Sequence, residues 1–231
     1  MKNITKHTNE SLRELYLVDL TLPDKFHGRE TPKVRYLQQW RDLVPFVANQ
    51  SITIDTTNGQ DVWVLSDPHL GHNNIIKYCD RPFANVDAMN NALIHNYLDV
   101  VKPTDVVIFG GDIAFMGKDK VNAILGRLPG YKIQIVGNHD INRDGQVIEY
   151  AVDERHICYV VDVIDGDMEF QLLFTHYPMD VVPPNCVNVA GHIHNKHANP
   201  WNIIICVEHT NYAPMNLKTV IQKARTYLEN K

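Results

Sequence analysis

The chain has 231 residues, 44% of them hydrophobic, with 22 Lys and Arg against 27 Asp and Glu for a net charge of −5. That length buries a sizeable core without disulfide staples, and the apolar fraction excludes wholesale disorder. The acidic balance excludes a basic coat for nucleic acid, and no apolar run approaches the roughly 18 residues that a membrane helix needs.

Residues 1–50 read as a partly helical extension, with Thr31-Pro32 opening a helix. Val34, Leu37, Trp40, Leu43, Val44 and Val47 then recur at helical spacing. Residues 51–231 read as the main domain. Ser51–Asp55 alternates as a strand, Asn58-Gly59 signals a hairpin turn, and Asp61–Leu65 is a second strand. A helix over 86–101 presents Met89, Leu93, Tyr97 and Val100 on one face. Val106–Phe109 is a buried strand between Pro103 and Gly110-Gly111, Lys118–Leu128 a helix closed by Pro129-Gly130, and Lys132–Val136 another strand. Beyond Tyr150 the pattern turns strand-rich, at 158–164, 168–174, 187–190 and 203–207, before a terminal helix over 216–229. Alternating strands and helices predict a layered α/β domain.

The first sign of chemistry is histidine: 12 in all, seven of them between His139 and His209. Their placement matters more than their number. Five apolar runs each finish in residues able to bind metal: Asp67-Pro68-His69, Gly111-Asp112, Gly137-Asn138-His139-Asp140, His176, and Gly191-His192-Ile193-His194. Taken singly, an Asp after a strand is a turn residue or a helix cap. Five such ends together are not explained by turns, because ligands of open sheets gather at the carboxyl ends of strands. Carboxylate, imidazole and amide oxygen suit manganese, iron, zinc or nickel. Two carboxylates against two divalent ions leave a net positive site that attracts a phosphate ester despite the acidic chain.

These residues resemble the five motifs of the calcineurin-like metallophosphoesterases, in family order over 67–194. The flanks, Ser66–Ile75, Asp105–Asp112, Leu128–Lys132 and Val207–Pro214, are similar to the small single-domain enzymes of bacteria and their viruses, extending the match to roughly 61–222. The resemblance implies a four-layer α/β-β/α sandwich of two mixed sheets flanked by helices, with a dinuclear metal site at the strand carboxyl ends. It implies that Asp67, His69 and His194 hold a first ion, that Asn138, His176 and His192 hold a second, and that Asp112 bridges them. The ions would be two divalent transition metals, manganese first, with iron, zinc or nickel as alternatives. His139 would contact phosphate and protonate the leaving oxygen, while a metal-bridging hydroxide attacks phosphorus directly. Protein phosphatases of the family carry Gly-Asp-x-x-Asp-Arg-Gly where residues 111–117 read Gly-Asp-Ile-Ala-Phe-Met-Gly. Phe115 and Met116 thus replace an acid that partners the catalytic histidine and an arginine that grips phosphate, which favours a diester over a phosphoprotein.

The expected activity is therefore a phosphodiesterase acting on a nucleotide or other small phosphate ester. A nuclease and a non-catalytic metal-binding scaffold are the alternatives. A scaffold would be expected to lose Asn138 or His139, and a nuclease to carry dense Lys/Arg runs; neither is seen. His72 and Asn73, with Asn74, either line the substrate pocket or cap the next helix, and Arg81 and Arg143 are candidate phosphate contacts. Asp140 is expected to fix its loop, His95 to be structural, and His197 and His209 to lie outside the ligand set. Cys79, Cys158, Cys186 and Cys206 form no Cys-x-x-Cys pair and Met1–His7 has no apolar core, so a reduced, cytoplasmic protein without membrane partners is expected.

Overall fold

The computed structural model describes residues 61–231 in full and 52–55 as backbone. In chain order the elements are β1 (Ile52–Asp55), β2 (Val62–Leu65), α1 (Ile75–Tyr78), α2 (Val86–Val100), β3 (Val106–Phe109), α3 (Lys118–Leu125), β4 (Tyr131–Ile135), β5 (Glu154–His156), β6 (Cys158–Asp165), β7 (Met168–Thr175), β8 (Cys186–Ala190), β9 (Asn202–Ile204), β10 (Met215–Asn216) and α4 (Leu217–Glu229). Single 3₁₀ turns follow β4 at Asn138–Asp140 and β9 at Val207–His209. The expected extension over 1–50, its helix and the Asn58-Gly59 turn lie outside the described residues.

The strands form two five-stranded mixed sheets, ordered β10-β2-β3-β4-β5 and β1-β6-β7-β8-β9. In the first, β2, β3, β4 and β5 run parallel and β10 antiparallel. In the second only the β6–β7 pair is antiparallel. The chain is thus an α/β sandwich of two mixed sheets, as expected. One expectation fails. β1 and β2 make no hairpin: β1 pairs in parallel with β6, Ile52 opposite Val161, while β2 lies in the other sheet between β3 and β10. A parallel neighbour needs a crossover connection rather than a two-residue turn, so the pairing of β1 is set by non-local contacts.

Period-two alternation explains how the layers meet. In β3, Val106 and Ile108 face the second sheet and join Ile133, Ile135, Val161, Leu172, Phe174, Val187 and Val189 in the central core. Val107 and Phe109 face the other way, onto Met89, Leu93 and Tyr97 of α2 and Val121 and Leu125 of α3. α2 begins at Asn85, whose side chain accepts from Ala88 N–H, with Asp87 in the first turn complementing the dipole. It ends before Lys102-Pro103. α4 is capped by the Asn216 side chain and inserts Leu217, Val220, Ile221 and Ala224 into the central core. The outer face of the second sheet packs Cys158, Val160, Leu173 and Cys186 against Met179. Among the described residues no helix is long and apolar enough to cross a membrane.

This layering is testable by truncation. Ile108 has no exposed surface whereas Leu98, on the outer face of α2, is 50% exposed. Ile108→Ala should cost about 2–5 kcal/mol in urea unfolding, and Leu98→Ala no more than about 0.5 kcal/mol.

Candidate metal centre

Five strand ends converge. The loops after β2 and β3 continue side by side, with Asp67 N–H donating to Gly111 O, His69 N–H to Asp112 O and Leu70 N–H to Ile113 O. This brings Asp67, His69 and Asp112 together. From the second sheet, His176 follows β7 and His192 and His194 follow β8. Gly191 N–H donates to His176 O, tying those two loops. Asp67, His69, Asp112, His192 and His194 all sit in the left-handed region, with φ between 51° and 67°.

The side chains form two groups able to hold an ion: Asp67, His69 and His194, and Asp112, His176 and His192, each with its ligand atoms within 4.8 Å of one another. Asp67 shows how one oxygen is reserved. Its Oδ2 accepts from Ser66 Oγ at 2.6 Å, His192 N–H at 2.8 Å and Cys206 Sγ at 3.3 Å. Its Oδ1 is buried without a hydrogen-bond partner, as is Nε2 of His69 3.7 Å away. Asp112 is divided likewise. Its Oδ1 accepts from His139 N–H at 2.8 Å, while Oδ2 lies 3.6 Å from His69 Nε2 and 3.4 Å from His176 Nε2, facing both groups. His176 meets the Gly110 carbonyl through Nδ1 at 2.8 Å, so that nitrogen carries the hydrogen and Nε2 turns inward, 3.2 Å from Asn138 Oδ1. Asn138 is steadied by the Tyr177 hydroxyl at 3.0 Å. All seven expected ligands are thus brought to one place. Orphaned, fully buried oxygen and nitrogen atoms facing one another are costly unless a cation satisfies them, so the residues fit a metal site.

The electrostatics point the same way. Burial raises the carboxyls of Asp67 and Asp112, but the surrounding histidines override it and hold both below the usual range. Burial lowers His176, yet the Asp112 and Asp67 carboxylates push it up to about 10. His194 is likewise pushed up to about 10, by hydrogen bonds to Cys79 and Glu208 and by Asp67, against burial. His192, buried and beside His176, falls to about 4. A cluster that holds protons this tightly between its carboxylates is one in which positive charge is wanted.

Asp140 fixes the loop, as expected. Its carboxylate accepts from Asp112 N–H, Ile113 N–H and Gly137 N–H at 2.8, 3.0 and 2.9 Å. Gly137 is required there, since a Cβ would strike the Asp112 carboxylate.

Arg81 is a correction. It is 3% exposed and does not reach outward to phosphate. Its guanidinium donates to Glu208 Oε1 at 2.8 and 2.9 Å and to the carbonyls of Asp67 and Pro68 at 2.8 and 2.9 Å. Glu208 Oε1 also lies 3.0 Å from His194 Nδ1, which leaves Nε2 of that ring facing Asp67 at 3.8 Å. Cys79, His194 and Glu208 form a third group with ligand atoms within 4.8 Å, but it shares His194 with the first, and Arg81 occupies Glu208 Oε1 while Oε2 is buried without a hydrogen-bond partner. It therefore supports the first group. Sequence reasoning missed Glu208 and the donors Ser66, Cys206 and Tyr177. The available signals were the adjacency of Ser66 and Tyr177 to ligands and the similarity already noted over Val207–Pro214.

Two cavities flank His192-Ile193. One, of about 520 Å³, is lined by His69, His72, Tyr78, Phe115, His139 and Lys196 among others. The other, of about 560 Å³, is lined by Tyr177, His192, His197, Asn199 and Asn202 among others. His139 stands at the cluster, its ring 5.3 Å from that of His69, and burial lowers its pKa against the pull of Asp112. His72 lines the first cavity. Asn73 is exposed and lines neither, and Asn74 takes the cap position of α1 without a side-chain bond. Arg143 is exposed on the 142–146 turn and also lines neither. His95 is exposed and pairs with Asp99 on α2.

No family model matches the chain. It is 32% identical over 173 residues to the uncharacterized protein MJ1445 of Methanocaldococcus jannaschii, covering 70% of this chain and 89% of that one. A crystal structure of a protein of unknown function, AQ665 from Aquifex aeolicus, shares the fold with a TM-score of 0.55 at 24% identity, covering 71% of this chain and 99% of that one.

If Glu208 orients His194 for an ion, Glu208→Gln should weaken divalent-ion binding about 10–100-fold in calorimetric titration. An exposed change such as Glu149→Gln should leave it as it was; equal affinities for the two variants would reduce Glu208 to a partner of Arg81 alone.

Proposed function

The chain belongs to one family with MJ1445, and from the cluster its fold builds we propose that it is a dimetal phosphoesterase of the calcineurin-like kind, hydrolysing a small phosphodiester or nucleotide. The observation that carries the proposal is Asp112: one carboxylate oxygen faces both histidine groups, with the unpartnered Asp67 Oδ1 and His69 Nε2 beside it. Asp67, His69 and His194 would hold one ion, Asn138, His176 and His192 the other, and Asp112 both. Manganese is the first choice for these donors, with iron, zinc or nickel close behind. Bound there, divalent ions polarise a phosphoryl oxygen and lower the pKa of water.

The chain's own residues then supply position and a proton. His139 is fixed by its backbone bond to Asp112, and its ring faces the cavity. An anionic phosphate beside it opposes the burial that lowers its pKa and favours the protonated ring. As the phosphorus–oxygen bond breaks, the leaving oxygen keeps the electron pair and takes the His139 proton. A water oxygen forms the new bond and its proton passes to solvent, from which His139 is reprotonated. A diester suits the lining, which offers Lys196 as its one lysine or arginine across both cavities. The same scarcity disfavours a nuclease, and retention of Asn138 and His139 disfavours a scaffold. Cys79, Cys158, Cys186 and Cys206 are buried and form no disulfide, which favours the cytoplasm.

Reconstituted protein should hold two divalent ions per chain by elemental analysis, and chelation should abolish hydrolysis of bis(nitrophenyl) phosphate. Ion at 100-fold over Kd should add about 2.7 kcal/mol of stability, raising Tm relative to chelated protein. Absence of stoichiometric transition metal would end the proposal.

His139→Ala should keep its ions and lose about 10²–10⁴-fold in kcat/KM when the leaving group is an alkoxide, and much less when it is nitrophenolate. Asp67→Ala should depress both alike. An equal loss for His139→Ala on good and poor leaving groups would remove its acid role.

A further inference from the structure

The described residues expose five large apolar side chains, and two of them, Tyr78 (69%) and Phe115 (54%), line the cavity that also holds His139. Phe115 follows the buried Ile113-Ala114 pair, and its N–H is held by Leu70 O at 2.8 Å, so the ring stands on a fixed backbone. His72 stacks on it with ring centroids 4.4 Å apart and planes at 22°. His139 meets it edge-on at 5.4 Å and 77°. Tyr78 stands edge-on to His72 at 6.2 Å. With His72 stacked on it and His139 roughly perpendicular to it, Phe115 is still 54% exposed and offers ring surface to a ligand. The cavity volume falls within the range of about 300–1,000 Å³ usual for small-molecule sites.

Direction follows from His139. Accepting the phosphoesterase reading, the leaving oxygen lies at the His139 ring, and whatever that oxygen carries lies against Phe115. We propose that Phe115, His72 and Tyr78 form a stacking subsite for a nucleobase on the leaving arm of the substrate, which makes the substrate a small nucleotide ester. Aromatic faces accept any base, because stacking needs only a π-face. A nucleic-acid strand would need cations along its path, and this cavity is lined by Lys196 alone among lysines and arginines. Phe115 thereby gains a use at the position where protein phosphatases of the resembled family carry an acid.

The test compares adenosine 5′-monophosphate with ribose 5-phosphate, which share the phosphate and differ by the base, in calorimetric titration of the full chain. The nucleotide should bind about 10–100-fold more tightly. Phe115→Leu and Tyr78→Leu should each reduce that preference, the double variant should bring it within about threefold, and Phe115→Trp should preserve it. Both side chains are exposed, so unchanged Tm values should accompany the loss. Equal affinities in the unsubstituted chain, or a preference that survives the double variant, would overturn the subsite. A single-stranded oligonucleotide binding more than about tenfold tighter than the mononucleotide, with a steep salt dependence, would overturn the small substrate in favour of nucleic acid. Hydrolysis of bis(nitrophenyl) phosphate, run in parallel, separates the two readings. Hydrolysis without base preference removes the subsite alone, and base preference without hydrolysis removes the phosphoesterase alone.

Discussion

Left-handed backbone at the ligand positions is the constraint on which the site depends. Five of the seven candidate ligands adopt it without being glycine, and each such residue costs on the order of 1–3 kcal/mol. Conformations of that kind persist only where the surroundings over-determine them. Here the surroundings are backbone donors collected by carboxylates. Asp140 gathers the N–H groups of Asp112, Ile113 and Gly137, Asp67 gathers that of His192, and Arg81 grips the carbonyls of Asp67 and Pro68. None of these groups is a candidate ligand atom, yet each holds a ligand at its angle. Asp67 and Asp112 each commit one oxygen to this framework and turn the other toward the cluster.

The ligands were legible in the sequence because each follows a buried strand directly, so local pattern and spatial position coincide. Asp140 was legible for the same reason, being two residues from Asn138 on one turn. What failed was whatever depends on distant pairing. Arg81 and Glu208 are 127 residues apart, and no local feature says that the arginine points inward to meet the glutamate. Residue type gave its charge but not its direction. The Asn58-Gly59 signal was read as a hairpin, yet β1 runs parallel to Val161–Ile164 in the second sheet, a partner more than a hundred residues away that no local turn signal can name. Phe115 was read from sequence only as the loss of an acid. Its stacking on His72 depends on two loops meeting at the Leu70–Ala114 bridge, which no spacing within either loop reveals.

A cluster with this much buried charge gains stability from what it binds. The histidines and carboxylates partly neutralise one another, but Asp67 Oδ1 and His69 Nε2 remain buried without hydrogen bonds. Were an ion bound there, its binding free energy would also be free energy of holding the loops in their strained form.

The division of the ligands between the sheets has a mechanical consequence. Asp67, His69, Asp112 and Asn138 hang from the β10-β2-β3-β4-β5 sheet, whereas His176, His192 and His194 hang from the β1-β6-β7-β8-β9 sheet. The halves meet through apolar packing and through directed bonds at the strand ends, His192 N–H to Asp67 Oδ2, His176 Nδ1 to Gly110 O and the Tyr177 hydroxyl to Asn138 Oδ1, and local opening of each half would carry its own free energy. An ion coordinated from both sides forbids one half to open while the other stays closed. It would merge two foldons into one, so that the slowest amide protons of both sheets exchange only through a common, global event.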